Sequence, residues 1–251
     1  MPDPCPLMCD ASSLSETQRA KQEIRRRVLA LRDGLPTDAR AAHSLAIAQK
    51  IAAMPSFIAA RTVSLFSSFG SEWVTAFLIQ EALRRGKIVA LPRVLPASTP
   101  ASATLKHPLP TTPRRCAPPP FKRGQEKGSN CTDLNQSRSK QMLLQTIENL
   151  ARDTAPGLRG ILEPLPERPV VSPKAVDWIL IPGVAFTPRG DRMGYGAGFY
   201  DRLLAQMPPQ VPRIAGAFEA QIVETLPTDS HDCPVDVVCT ERQMFCCKKL
   251  A

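Results

Sequence analysis

Between Thr62 and Pro92 the chain reads TVSLFSSF (62–69), then TAFLIQEALRRG (75–86), then KIVALP (87–92), with few residues between the pieces. The outer two are short apolar runs rich in β-branched and aromatic residues. The middle one has helical spacing and closes on Gly86. A strand, a helix and a second strand with short joins form a βαβ unit, and such a unit makes its two strands run parallel. This stretch therefore commits the domain to the α/β class.

The same alternation runs through most of the chain. Ser15 with Gln18 three residues on predicts a capping box opening a helix through about Asp33, with Ile24, Val28 and Leu31 as its apolar stripe. At 100° per residue, Lys21, Arg25 and Arg32 line one flank of that stripe. A second helix is expected over about 38–53 and another over 198–206. VDWILIPG (176–183), RIAGAFE (213–219) and VDVVCTE (235–241) read as further strands. The economical architecture is a single three-layer α/β/α domain with a mostly parallel sheet, built from 15–96 and 141–245. Residues 1–14 are expected to be a disordered N-terminus and 246–251 a C-terminal tail.

Residues 97–140 break the pattern. They are rich in Pro, Ser, Thr and basic residues, poor in large apolar ones, and bury too little to offset the entropy of ordering. A flexible basic, Pro-rich insertion is expected. It holds eight Lys/Arg against two Asp/Glu, so most of the net charge of +9 belongs to it and not to the folded body. Nucleic acid is therefore not expected as a partner of that body.

Hydrophobic residues form 43% of the chain, enough for a core, yet no run of about 18 apolar residues predicts a membrane span. The N-terminus, MPDPCPLMCDASS, has neither a basic nor an apolar region of the secretory kind. The eight cysteines include no CxxC pair, and His43, His107 and His231 do not fall at zinc-finger spacing. Reduced thiols in a cytoplasmic protein are the expectation.

In open α/β sheets, ligands bind beyond the carboxyl ends of the strands. Two unusual stretches fall there: SFGSEWVT after the run 62–69, and RMGYGAGFYDR (192–202) after 176–183. The second puts Gly194, Gly196 and Gly198 at alternate positions, where backbone amides approach a ligand without Cβ obstruction. Phosphate is the natural guest, with a helix start near Gly198 adding partial positive charge. Asp201 could hold magnesium against that phosphate while Arg192 or Arg202 offsets more of its charge. The spacing matches neither GxGxxG nor GxxxxGK[ST], so a glycine-rich turn packing its rings into the core stays open. Lys21 and Arg25, one helical turn apart, could grip phosphates from the other side. Glu72 could meet a polar substrate edge, and Asp232, beside His231, could be a second metal ligand.

Together, KQEIR (21–25), FSSFGSE (66–72), GKIVALPR (86–93), GILEP (160–164), ILIPGVAFTPRGDRMGYGAGFYDR (179–202) and HDCPVDVVCTE (231–241) resemble the 5-formyltetrahydrofolate cyclo-ligase family, also called methenyltetrahydrofolate synthetases. The resemblance covers nearly all of 18–242 except the insertion. It implies a three-layer α/β fold and the ATP- and Mg2+-dependent conversion of 5-formyltetrahydrofolate to 5,10-methenyltetrahydrofolate; separately, a monomer is the expectation. By that resemblance Lys21, Gln22, Glu23, Ile24 and Arg25 bind ATP with Arg192, Met193, Gly194, Tyr195, Gly196, Ala197, Gly198, Phe199 and Tyr200. Phe69, Glu72 and the run Tyr195, Gly196, Ala197, Gly198, Phe199 line the folate pocket, and Asp201 and Asp232 are the magnesium positions. The chain departs from the family pattern at Val74, where members often carry an acid or amide, and at Ala197, often glycine. Val74 keeps a binding protein without turnover in play, and the basic insertion keeps an acidic-partner contact in play.

Overall fold

A computed structural model of the chain describes residues 15–95, 141–229 and 232–247. Helix α1 (Glu16–Asp33) opens on the expected capping box: Gln18 N donates to Ser15 Oγ and Ser15 N to Gln18 Oε1, pairing two donors that the helix leaves over. Helices α2 (Thr37–Ala52) and α3 (Pro55–Ala59) lead to β1 (Thr62–Ser64), α4 (Ala76–Arg84) and β2 (Ile88–Leu95). Then come β3 (Gln141–Ile147), α5 (Leu150–Asp153), β4 (Thr154–Pro156), β5 (Leu162–Pro164), β6 (Val170–Val171) and β7 (Trp178–Leu180). The chain ends with β8 (Ala185–Phe186), β9 (Arg192–Met193), α6 (Phe199–Leu204), β10 (Arg213–Gly216), β11 (Val237–Cys239) and β12 (Met244–Cys246).

The main sheet has the order β12-β11-β10-β7-β1-β2-β3-β6. β11, β10, β7, β1 and β2 are parallel, as the βαβ pattern requires. The outer strands β12, β3 and β6 join antiparallel, while β4–β5 and β8–β9 form separate hairpins.

Alternate strand residues feed two cores. Val89, Leu91, Trp178, Leu180 and Ile214 pack with Ile47 and Ile51 of α2, Phe57 of α3 and Leu78 of α4. Ala90, Ile179 and Ala215 face the other way, onto Leu203 and Leu204 of α6 and Phe186 of β8. Burial on both faces is why these strands read as unbroken apolar runs.

The apolar run 62–69 is regular strand only over Thr62–Ser64; Leu65 and Phe66 are buried but lie in loop. Hydrophobicity reports burial, which a packed loop shares with a strand. The run 176–183 shortens likewise, to Trp178–Leu180. β2 continues past Pro92 because β3, absent from the sequence reading, pairs with it as far as Leu95↔Gln141. Leu31, expected on the buried stripe of α1, is 55% exposed, and Arg32 takes the buried place beside Val28. The expected tail begins too early, since Cys246 pairs with Val237 in β12 and Cys247 N donates to Asp236 O. The expectations for 1–14, the insertion and His231 lie outside the described residues.

Leu95 and Gln141 are already paired, so residues 96–140 join two neighbouring strand ends. Replacing them with a two-residue Asn-Gly turn is expected to raise unfolding stability by about 2 kcal/mol, from loop-closure entropy. Urea denaturation checks this; a loss of stability would show that the segment packs on the body.

Candidate functional site

Past the carboxyl ends of β1 and β7 lie the loop 65–75 and the segment 181–198, which includes the β8–β9 hairpin, and α1 contacts both. Val28 of α1 packs on Val184, Ala185 and Met193, fixing the helix against the β8–β9 hairpin. Between these elements is a cavity of about 840 Å³. Residues 21 and 196, far apart in sequence, both line it.

One end is charged. Arg25 Nε donates to Gly194 O at 2.9 Å, tying α1 to the glycine run. Lys21 Nζ donates to Asp229 Oδ2 at 2.7 Å and to Asp232 Oδ2 at 2.9 Å. Burial opposes the Lys21 charge, but these two carboxylates outweigh it and its pKa is raised. Burial also disfavours the Asp232 charge, yet the Asp229 amide and Lys21 hold its pKa below the ordinary value. Arg192 is buried, pairs through Nη2 with Asp201 Oδ1, and donates from Nη1 to Pro182 O at 3.3 Å. Its Nε is buried and has no partner among the described residues, so it is a donor still to be satisfied.

The glycines have different reasons to be there. Gly196 (φ 94) and Gly198 (φ 64) occupy the left-handed region that side chains avoid. Gly194 does not, but a Cβ on it would come within 3.1 Å of the Arg192 guanidinium. Among the described residues, no acceptor takes the amides of 194–198. The helix expected near Gly198 exists as the short α6, so what this edge of the cavity offers is free amides more than a long helix dipole.

The other end is aromatic and apolar. The Phe69 and Tyr195 rings lie 5.2 Å apart at 46°. Tyr195 Oη donates to Glu72 Oε1 at 2.7 Å, Phe69 N donates to Glu72 Oε2 at 3.1 Å, and Arg32 Nη1 donates to Tyr195 Oη at 2.9 Å. Burial raises the Glu72 pKa, only partly countered by the Tyr195 and Phe69 bonds and the Arg32 charge. Burial and the Glu72 charge raise that of Tyr195.

A carboxyl whose pKa rises on folding stabilises fully below its unfolded pKa, and that contribution is lost as pH climbs through the folded value. Glu72→Gln is therefore expected to raise Tm at about pH 8 more than at about pH 4. Thermal melts at both pH values test this; an equal shift would show that Glu72 carries no burial penalty.

Of the residues expected at the site, Lys21, Gln22, Arg25, Phe69, Glu72, the whole run Arg192–Tyr200, Asp201 and Asp232 border the cavity. Glu23 and Ile24 do not. Glu23 is exposed and pairs with Arg26 at 2.8 Å, and Ile24 packs against the Val28 cluster. On a helix only part of a contiguous stretch can face one ligand. Val74 lies off the cavity, its amide donating to Ser44 Oγ. Ala197 is not left-handed, so its Cβ costs nothing; Arg159 (φ 58) is the one positive-φ non-glycine among the described residues. The sequence reading did not name Asp229, Arg32 or Arg159 as site residues. Asp229 had a signal, lying one helical-turn spacing before Asp232; the buried role of Arg32 had none beyond its flank position.

Magnesium keeps several waters and takes one or two carboxylates plus phosphate oxygens. Among the described residues no three His, Cys, Asp or Glu side chains cluster as a metal cage, while Asp201, Asp229 and Asp232 border one cavity. That donor set fits a metal arriving with a phosphate ligand.

Fold and cavity define a class: an open α/β sheet with a cleft beyond its parallel strands, cationic and glycine-rich at one end and aromatic at the other. The chain belongs to the 5-formyltetrahydrofolate cyclo-ligase family, which it matches over residues 17–241. It is similar to the mouse (Mus musculus) 5-formyltetrahydrofolate cyclo-ligase, 25% identical over 226 residues, 88% of this chain and 94% of the mouse protein. The Escherichia coli K12 cyclo-ligase is 28% identical over 200 residues, 79% of this chain and 87% of the bacterial protein. The NMR structure of Aquifex aeolicus 5,10-methenyltetrahydrofolate synthetase superposes with a TM-score of 0.67 at 27% identity, over 91% of this chain and 93% of that one.

Proposed function

We propose that this chain converts 5-formyltetrahydrofolate to 5,10-methenyltetrahydrofolate at the expense of ATP, releasing ADP and phosphate. The observation that carries the reading is the shared cavity: α1 cations and unpaired glycine amides at one end, a ring-and-carboxylate clamp at the other. Family membership supports the same reaction.

A formamide carbon is a poor electrophile and its oxygen a poor leaving group. The formyl oxygen attacks the γ-phosphorus of ATP and ADP departs. The N10 amine then adds to the formyl carbon and loses its proton, and the C–O bond breaks with its electrons leaving on phosphate. Lys21, Arg25, Arg192 and the 194–198 amides hold and neutralise the phosphates, while Phe69 and Tyr195 grip the pterin and Glu72 accepts from its N–H edge. Asp201 and Asp232 would hold Mg2+, which when bound offsets phosphate charge. One chain supplies the walls of the cavity described here, so the reading needs only a monomer. Thiols outside any disulfide at Cys239, Cys246 and Cys247 suit the cytoplasm. No helix among the described residues is long and apolar enough to cross a membrane.

Arg159 borders the cavity, is exposed, and has no partner among the described residues. It suits the carboxylates of the substrate's glutamyl end. Arg159→Ala is expected to raise the KM for 5-formyltetrahydrofolate about three- to tenfold with kcat unchanged; steady-state kinetics showing an unchanged KM would remove it from the substrate site.

The reading is tested by mixing the protein with 5-formyltetrahydrofolate and Mg·ATP and following methenyltetrahydrofolate absorbance. Growth that needs all three components is expected. Binding of both ligands without growth would make this a binding protein.

A further inference from the structure

We propose that Arg32 is a positioning residue, fixing the Tyr195 ring and through it the Glu72 carboxylate from behind the cavity wall. The inference rests on the cyclo-ligase reading for what the cavity holds.

Arg32 does not border the cavity. It is 3% exposed near the end of α1, an uncommon place for a charge that burial disfavours. Its fork is held at two points: Nε donates to Ser71 Oγ at 2.9 Å and Nη1 to Tyr195 Oη at 2.9 Å. Ser71 is anchored in turn by donating to Asp33 Oδ1.

The direction of the chain of bonds follows from the inventory of protons. A guanidinium only donates, so the Tyr195 hydroxyl must accept from Arg32. Its single proton is then committed to Glu72 Oε1, 2.7 Å away. With Phe69 N on Oε2, each carboxylate oxygen has one internal donor. The remaining lone pairs are left for ligand N–H groups. Lysine has no planar fork to hold Ser71 and Tyr195 together.

The placement also joins the two ends of the cavity. Lys21 and Arg32 are on one helix, eleven residues apart, about 16 Å of rise. Helix α1 thus carries the phosphate-end cation and the anchor of the aromatic clamp as one rigid piece.

The test is a double-mutant cycle of Arg32→Met and Tyr195→Phe, read as kcat/KM for 5-formyltetrahydrofolate with the KM for ATP alongside. Each single variant is expected to lose about ten- to a hundredfold, with the KM for ATP within about twofold. Adding Arg32→Met to Tyr195→Phe should cost less than about threefold more, because the hydroxyl through which Arg32 acts is already gone. Additive losses, or equal rises in both KM values, would overturn the proposal in favour of a role in folding alone. Where Arg32→Met does not fold, Ser71→Ala releases only the Nε anchor; it should give a milder loss, again confined to folate and again absorbed by Tyr195→Phe, and additivity there overturns the proposal equally. The unaltered chain reports on the activity separately. If it makes no methenyltetrahydrofolate, the cyclo-ligase reading fails by itself and the cycle is read from the Kd of 5-formyltetrahydrofolate, with the same non-additivity expected. Absence of that binding overturns both.

Discussion

Changing Asp201 to asparagine is expected to lower kcat by about a hundredfold while leaving the Kd of 5-formyltetrahydrofolate within about twofold. Asparagine keeps the shape and an acceptor for Arg192, so the buried guanidinium is not left wholly unpaired. What disappears is the negative charge at the edge of the cavity. In the proposed reaction that charge would help hold Mg2+ near the phosphates, and the loss of one preorganised electrostatic partner costs about two to three orders of magnitude in comparable sites. Single-turnover rates with saturating ATP and folate check this. A defect confined to folate affinity would take Asp201 out of the phosphate end.

Lys21→Ala should act on the other side of the same anion. The ammonium lies between Asp229 and Asp232, both within 2.9 Å. Its removal subtracts a cation from the phosphate end and leaves two carboxylates facing each other without a counter-charge. Losing one charge-assisted contact of about 1.5–3 kcal/mol corresponds to a rise of roughly ten- to a hundredfold in the Kd of Mg·ATP. The Kd of 5-formyltetrahydrofolate should stay within about twofold. Calorimetric titration of each ligand separates the two, and equal weakening would mean that Lys21 only braces the fold.

Much of this architecture was legible in the amino acids because its signals are local. The βαβ unit, the Ser15 cap and the closing Gly86, which does adopt a left-handed φ of 71°, are each written within a few residues. The candidate cavity was marked for another reason: removing side chains at 194, 196 and 198 has few causes, a ligand at the backbone among them, and all three border it. What escaped depends on long-range pairing. β3 is recognisable only once β2 lies beside it. Arg32 looked like another flank cation because its acceptors come from loops 39 and 163 residues away. Glu23 and Ile24 were carried into the site by their neighbours in KQEIR, although helix geometry turns them away from the cavity.

The central claim is that a nucleotide's phosphates bind on the unpaired amides of the glycine run, opposite Lys21. The most direct measurement is the 15N–1H spectrum of glycine-labelled protein titrated with Mg2+ and a non-hydrolysable ATP analogue. The account predicts saturable shifts concentrated on Gly194, Gly196 and Gly198, weakened by Lys21→Ala. Saturable nucleotide binding that leaves these three amides unmoved would contradict it.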